Sequence, residues 1–309
     1  MNVDSVLVLQ KILMLFLVLL CGVYARKRRF LDGNSTKSLS LILVNITQPL
    51  LIIDSFQIDY REELIINGLL ILGASVIIHI VVTFIAKAVF RFEKNPDRNS
   101  VLNFGLVFGN CAFLGYPVLE VIFGDGIGVF YGAFYCIMFN LYCWTYGVSL
   151  YSRKEKTSFK KIFLNAGTIA TALGIVLFAV QYKLPSVLKD AVSLVGDMTF
   201  PLSMLIVGSL ISQLDFIKVI TNVKAYIFCF VKLLVLPMIA ILVCKFLPLS
   251  PTVAYMSIVM CAVPTASNTA IFAQAFDSDA SFASQCVGLS TFFSIFTIPL
   301  TILAANMIL

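Results

Sequence analysis

Apolar runs of about twenty residues follow one another from end to end of this chain, and each is close to the ~20 residues that a helix needs to cross a bilayer core. They cover 6–25, 38–56, 64–86, 101–123, 127–151, 161–181, 191–212, 225–247, 252–275 and 283–308. Ten such runs fill the 309 residues, and no loop is long enough for a soluble domain. Any function must therefore reside in the bundle. The composition agrees: 60% of residues are hydrophobic and 12% charged, against about 25% charged in an ordinary soluble domain. The first run is read as a retained helix, because it is long for a signal-peptide core and the basic cluster Arg26-Lys27-Arg28-Arg29 follows it.

The net charge of +6 does not indicate a nucleic-acid partner. Its placement is topological. Lys and Arg concentrate at 26–37, 87–98, 153–161 and 218–224, the odd-numbered loops, whereas the even-numbered loops hold only Arg61, Lys183, Lys189 and Lys245. The positive-inside rule then puts the odd loops in the cytoplasm and both termini outside the cell, with the plasma membrane as the expected location. The eight cysteines show no metal-ligand or disulfide spacing, so no metal or resident cofactor is expected.

Ten spans with a short basic segment in the middle divide as five plus five. Asn45-Ile46-Thr47-Gln48-Pro49-Leu50 in helix 2 resembles Asp197-Met198-Thr199-Phe200-Pro201-Leu202 in helix 7. Lys87 and Lys245 end helices 3 and 8. Gly109 to Pro117 in helix 4 matches Val263 to Ala270 in helix 9, and an acidic loop follows each, with Asp125 in one and Asp277 and Asp279 in the other. A repeat with an odd number of helices must re-enter the membrane from the opposite face. The sequence therefore predicts an all-α polytopic membrane protein built as two inverted five-helix repeats. The first spans 1–151 and the second 161–309, joined by a cytoplasmic linker at 152–160.

Helices 4 and 9 are the two that are not plain Leu, Ile, Val and Phe. Pro117 with Gly115 and Asn110 interrupts one; Pro264 followed by Thr265, Ala266, Ser267 and Asn268 interrupts the other. Freed backbone at membrane depth is tolerated only where protein or a watery cavity satisfies it. A matched pair of broken helices also exposes two N-termini whose dipoles favour an anion. Asn110, Thr265, Ser267 and Asn268 are candidate side-chain donors to it. Asp197, the one carboxylate well inside a span, is read either as the site of a coupling proton or sodium ion, or as the structural partner of Lys232 in helix 8. Its counterpart in the first half, Asn45, cannot ionise. His79 is the only histidine and by itself makes neither a metal site nor a relay.

The pattern Gly109-Asn110-x-x-Phe113-Leu114-Gly115-x-Pro117 with Gly124-Asp125, and Ala262-Val263-Pro264-Thr265-Ala266 with Ala273-Gln274, resembles the auxin efflux carrier family, and the likeness runs the length of the chain. That family includes plant auxin exporters and bacterial malonate- or malate-permease-like carriers. The short central loop resembles the bacterial type. The resemblance implies that helices 1, 2, 6 and 7 form a scaffold and that helices 3–5 and 8–10 form a moving transport domain. Helices 4 and 9 would cross at a substrate site containing Asn110, Gly115, Pro117, Pro264, Thr265, Ser267 and Asn268. A further proline of plant members is replaced here by Thr269. The fold implied suits a homodimer.

The expected activity is secondary transport of a small organic anion, such as a malate- or malonate-like carboxylate or an auxin-like acid, by alternating access. A sodium-coupled bile-acid-like symporter, or a channel or sensor on the same fold, is the alternative. No GxxxxGK[ST], HExxH, paired intramembrane aspartates or Ser–His arrangement is present, so neither ATP hydrolysis nor an intramembrane enzyme is expected.

Overall fold

The computed structural model describes residues 5–151, 165–212 and 222–309; the basic linker at 152–160 lies outside them. The described residues form ten helical segments in the expected order. These are α1 (Ser5–Lys27), α2 (Gly33–Ser55), α3 (Glu62–Val89), α5 (Ile127–Tyr151), α6 (Ala166–Ala179), α7 (Ser186–Ile211), α8 (Val223–Phe246) and α10 (Ala280–Ile308), with α4 and α9 each in two pieces. The pieces are α4a (Pro96–Val107) and α4b (Cys111–Phe123), and α9a (Pro251–Ala262) and α9b (Asn268–Ala275). Seven of the helices are long and apolar enough to cross a membrane; α6 and the pieces of α4 and α9 are shorter.

Local sequence explains where these helices begin and bend. Asp32, Asn95, Asn165 and Asp279 each cap the N-terminus of α2, α4a, α6 and α10 with a side-chain oxygen, satisfying amides that a helix start leaves unpaired. Pro96 and Pro251 occupy first-turn positions of α4a and α9a, where a missing N–H costs nothing. Three wide π turns, Leu43–Thr47, Cys111–Gly115 and Val231–Val235, each end two residues before a proline: Pro49, Pro117 and Pro237. A proline inside a helix lacks a donor and clashes with the turn before it, and a widened turn accommodates both defects without ending the span.

The repeat is visible in the backbone. Among the described residues, four non-glycine residues take a left-handed conformation: Arg29 and Gln181 after α1 and α6, and Asp125 and Asp277 after α4b and α9b. Both pairs are 152 residues apart, so corresponding turns of the two halves are built alike.

α1 runs along the second half of α7, and α2 packs between α6 and α7. Small residues allow the closest of these approaches. A Cβ on Gly208 would lie 2.0 Å from the Leu19 carbonyl oxygen, and one on Gly22 would lie 2.3 Å from that of Leu205. The remaining helices pack around the broken pair: α3 against α4a, α5 and α9a, and α10 against α4a, α8 and α9. At the end of the bundle that holds the α3–α4 loop, Arg98 pairs with Asp279 at 2.9 Å and Lys224 with Glu93 at 2.6 Å, tying that loop to the second half. On the other side Lys183 bridges to Asp59 at 3.1 Å and donates to the carbonyls of Gln57 and Ile58.

Candidate functional site

The two breaks meet at the centre of the bundle. Phe108, Gly109 and Asn110 run extended beside Pro264, Thr265 and Ala266 as a short antiparallel bridge. The Asn110 amide donates to the Pro264 carbonyl at 2.7 Å, and the Ala266 amide to the Phe108 carbonyl at 3.0 Å. Two half-helices that enter from opposite faces can pair in no other sense. The bridge answers the demand that backbone polar groups at membrane depth be satisfied.

Thr265, fully buried, pins the crossing further. Its hydroxyl donates to the Gly105 carbonyl at 2.8 Å, and its amide donates to the Ser290 hydroxyl at 3.2 Å. Gly105 has little room for a side chain, since a Cβ there would meet the Phe228 ring at 2.9 Å and the Thr265 methyl at 3.2 Å. The Thr265 hydroxyl therefore acts as a strut between the halves.

Asn110 caps α4b. Its Oδ1 accepts from the Phe113 amide at 3.2 Å, while its Nδ2 is buried with no hydrogen-bond partner. In the first turns of α4b and α9b, the amides of Ala112, Ser267 and Asn268 make no backbone bond outside their helices, whereas those of Asn110, Cys111 and Ala266 do. The crossing thus presents unpaired donors at both half-helix starts.

Lys232, 2% exposed, sits in the π turn of α8 and donates to the Leu106 carbonyl at 3.0 Å. Leu106 lies at the C-terminal end of α4a, the negative end of that helix's dipole, where a cation is favoured. The ammonium also approaches Gly109, at 3.5 Å from where a Cβ would stand.

The break in helix 4 lies at Phe108–Asn110, seven or more residues ahead of Pro117; the proline itself sits in the first turn of the helix Tyr116–Phe123. Gly115 and Pro117 are buried behind the crossing, with a Cβ on Gly115 placed 3.4 Å from the Met260 sulfur. In helix 9 the break does begin at Pro264. Ser267 is 8% exposed, and Asn268 is half-buried beside the Cys143 thiol.

The expected alternative of an Asp197–Lys232 bridge is corrected. Asp197 is exposed on α7 with Asp54 and Glu120 within electrostatic range, and among the described residues no carboxylate pairs with Lys232. The ammonium goes to the C-terminal end of α4a instead. Asn45 is likewise exposed, its amide donating to the Leu41 carbonyl within α2. Two participants escaped the sequence reading in their actual roles: Lys232 as a helix-end cap, and the Gly105–Thr265 strut. No sequence signal marks either, since both depend on contacts across more than a hundred residues.

When compared with known protein families, the chain matches the one described as membrane transport protein twice, over residues 7–160 and again over 155–302. No curated protein matches it. The two matches fall on the two halves that meet at the crossing. The chain belongs to this membrane transport protein family, that of the auxin efflux carriers, and is a multi-pass membrane transporter.

Proposed function

We propose that the chain is a secondary active transporter that moves a small organic anion, a malate- or malonate-like carboxylate or an auxin-like acid, by alternating access across the plasma membrane. The observation that carries this reading is the crossing itself: two half-helix starts with unpaired amides, the unpartnered Nδ2 of Asn110, and a buried ammonium with which no carboxylate among the described residues pairs. Oriented amide donors and a fixed positive charge in a water-poor site favour an anion. Asn110, Ser267 and Asn268 bind the substrate with the Ala112 amide, and Thr265, Pro264, Gly115 and Pro117 hold the backbone that shapes the site. Lys232 supplies the balancing charge. Helices α1, α2, α6 and α7 serve as the scaffold against which the other six move, both termini face outward, and a homodimer joined through the scaffold suits that division. A proton or a sodium ion is the coupling ion.

The test is uptake of labelled malate, malonate and indole-3-acetate into proteoliposomes, with and without inward proton and sodium gradients. Saturable uptake of one acid, capable of counterflow and lost in Asn110→Ala, supports the reading. Folded, correctly inserted protein that moves none of them overturns the substrate class. A flux that does not saturate makes the protein a channel.

A further inference from the structure

His79, on α3, is 1% exposed. Its Nδ1 lies 2.7 Å from the Ser75 carbonyl oxygen. A carbonyl only accepts, so Nδ1 carries the proton and Nε2 is left with a bare lone pair. That Nε2 is buried and has no partner. The ring is held by the Ser75 bond and by four aromatic neighbours, Phe108, Tyr135, Phe139 and Tyr142, with centroids 5.5–6.2 Å away. Ser75 is itself anchored through its hydroxyl to the Tyr135 carbonyl at 3.0 Å. One of the four rings, Phe108, belongs to the extended bridge.

An apolar cage with an imidazole at its centre is ordinarily filled on both ring nitrogens, because an unmade buried hydrogen bond is costly. Here one nitrogen is oriented by a firm bond and the other has no partner, in a ring packed against Phe108 of the crossing. Lys232 on α8 is within electrostatic range of it. The other titratable groups around the pair are the phenols of Tyr135 and Tyr142 on α5, and the thiols of Cys111 on α4b and Cys261 on α9a. No carboxylate is among them.

With no anion bound, the crossing holds one positive charge, on Lys232. A monoanion at the crossing is balanced by it, whereas a dianion leaves one negative charge uncompensated in a water-poor interior, a costly state. A second positive charge beside the ammonium is opposed by like-charge repulsion until that extra negative charge arrives. The bare Nε2 is where it can be made.

We propose that His79 is a proton-binding site of the crossing, taking up one proton at Nε2 when an anion with two negative charges binds and releasing it when that anion leaves. In the uptake step an N–H bond forms at Nε2 with a proton drawn from water on the open side, giving an imidazolium. On release the same bond breaks, and the proton leaves on the side to which the site has turned. One proton then travels with each dianion and none with a monoanion of the same shape. The inference rests on the anion-site reading above and adds to it a substrate charge class and the group that carries the coupling proton.

His79 is the only histidine, so one imidazole signal reports on it directly. The full chain, labelled with nitrogen-15 histidine in lipid nanodiscs, is examined by NMR at neutral pH, alone and with saturating malonate or its monomethyl ester. Flux of both anions and of protons is followed in proteoliposomes holding a trapped pH dye. The expected result is a neutral ring, protonated at Nδ1, alone and with the monoester, and a doubly protonated ring with malonate. Proton movement should accompany malonate only. In His79→Gln, malonate uptake should fall about tenfold or more relative to the monoester, the loss of one interaction with a charged group, and the proton flux should vanish. Malonate transport with Nε2 still bare, or an unchanged malonate-to-monoester ratio in a folded His79→Gln protein, overturns the proposal and leaves the anion carrier standing. If wild-type protein binds neither anion, the anion site falls and this proposal with it.

Discussion

Asn110 offers a clean separation of structure from transport, because its two side-chain atoms do different things. Oδ1 caps α4b through the Phe113 amide, and Nδ2 has no hydrogen-bond partner in the protein. Asn110→Ala removes both. Losing an N-cap costs about 0.5–2 kcal/mol, and the 3.2 Å length of this bond places it toward the lower end, about 1 kcal/mol. Because Nδ2 has no protein partner, its removal costs the fold almost nothing and falls wholly on the bound state. A hydrogen bond to a charged group contributes about 1.5–3 kcal/mol, so anion affinity should drop about 10- to 150-fold. Asn110→Asp isolates the second effect: it keeps the capping oxygen, which suits a helix start, and replaces the donor with an acceptor. That variant should unfold at or above the wild-type temperature in detergent while failing to accumulate anion. Thermal melts paired with concentration-dependent uptake read both quantities. Wild-type half-saturation in Asn110→Ala, or wild-type uptake by Asn110→Asp, would refute the assignment of Nδ2 to the substrate.

Three further substitutions probe the frame around the site. Thr265→Val is nearly isosteric but leaves the Gly105 carbonyl without its hydroxyl donor, so it should destabilise the protein by about 1–3 kcal/mol; an unshifted melt would mean that the hydroxyl does not pin the crossing. Gly208→Val drives side-chain carbon into the Leu19 carbonyl and should lower stability by more than the about 1–3 kcal/mol typical of overpacking. Gly73→Ala, where a Cβ meets nothing within 4 Å, should stabilise α3 by about 0.5–1 kcal/mol, and equal melts for the two glycine variants would contradict the packing. The Lys224 bond and charge hold the Glu93 carboxyl below its usual range. A depressed folded-state value adds stability that is fully present above the ordinary value of 4.5 and is lost as pH falls through the lower, folded-state one. Lys224→Met should therefore flatten the acid limb of the melting curve, and an acid limb identical to wild type would remove the pair from that role.

Most of the membrane architecture was legible in the sequence because it rests on local signals. Hydrophobic runs give the spans, basic loops suggest the orientation, and the paired motifs around Asn110 and Pro264 place the breaks on helices 4 and 9. The position of the first break was not legible. Pro117 marks a defect strongly, yet a defect one turn into a helix is harmless, and the preceding π turn Cys111–Gly115 absorbs the rest. What opens the chain at Phe108–Asn110 is the chance to pair with Pro264–Ala266, a contact between segments 155 residues apart, as Gly109 and Pro264 are. The fit of Asn110 as a cap was readable in principle, since it stands three residues before Phe113. Lys232 misled for the opposite reason. Opposite charges in two spans suggest a bridge, but Asp197 and Lys232 lie on helices with different neighbours, and a helix C-terminus, with about half a negative charge, also receives an ammonium.

That last substitution of partners bears on which sign of charge the crossing accepts. Two broken helices bring four termini to one place: the starts of α4b and α9b, which favour negative charge, and the ends of α4a and α9a, which favour positive charge. Such a centre can by geometry hold an anion, a cation or both. In this chain the carbonyl end of α4a is already engaged. Gly105 accepts from Thr265, Leu106 from Lys232, and Phe108 from Ala266. A sodium ion at the end of α4a would have to displace a covalently tethered ammonium from its place, whereas the donors at Ala112, Ser267, Asn268 and Asn110 wait unpaired. On the anion-carrier reading, the first half of the crossing therefore carries its own cation, and ion dependence should shift from protons toward sodium in Lys232→Met, where the Leu106 carbonyl is freed. Transport in that variant that remains indifferent to sodium, in protein that still binds anion, would show that the ammonium does not stand in a cation's place.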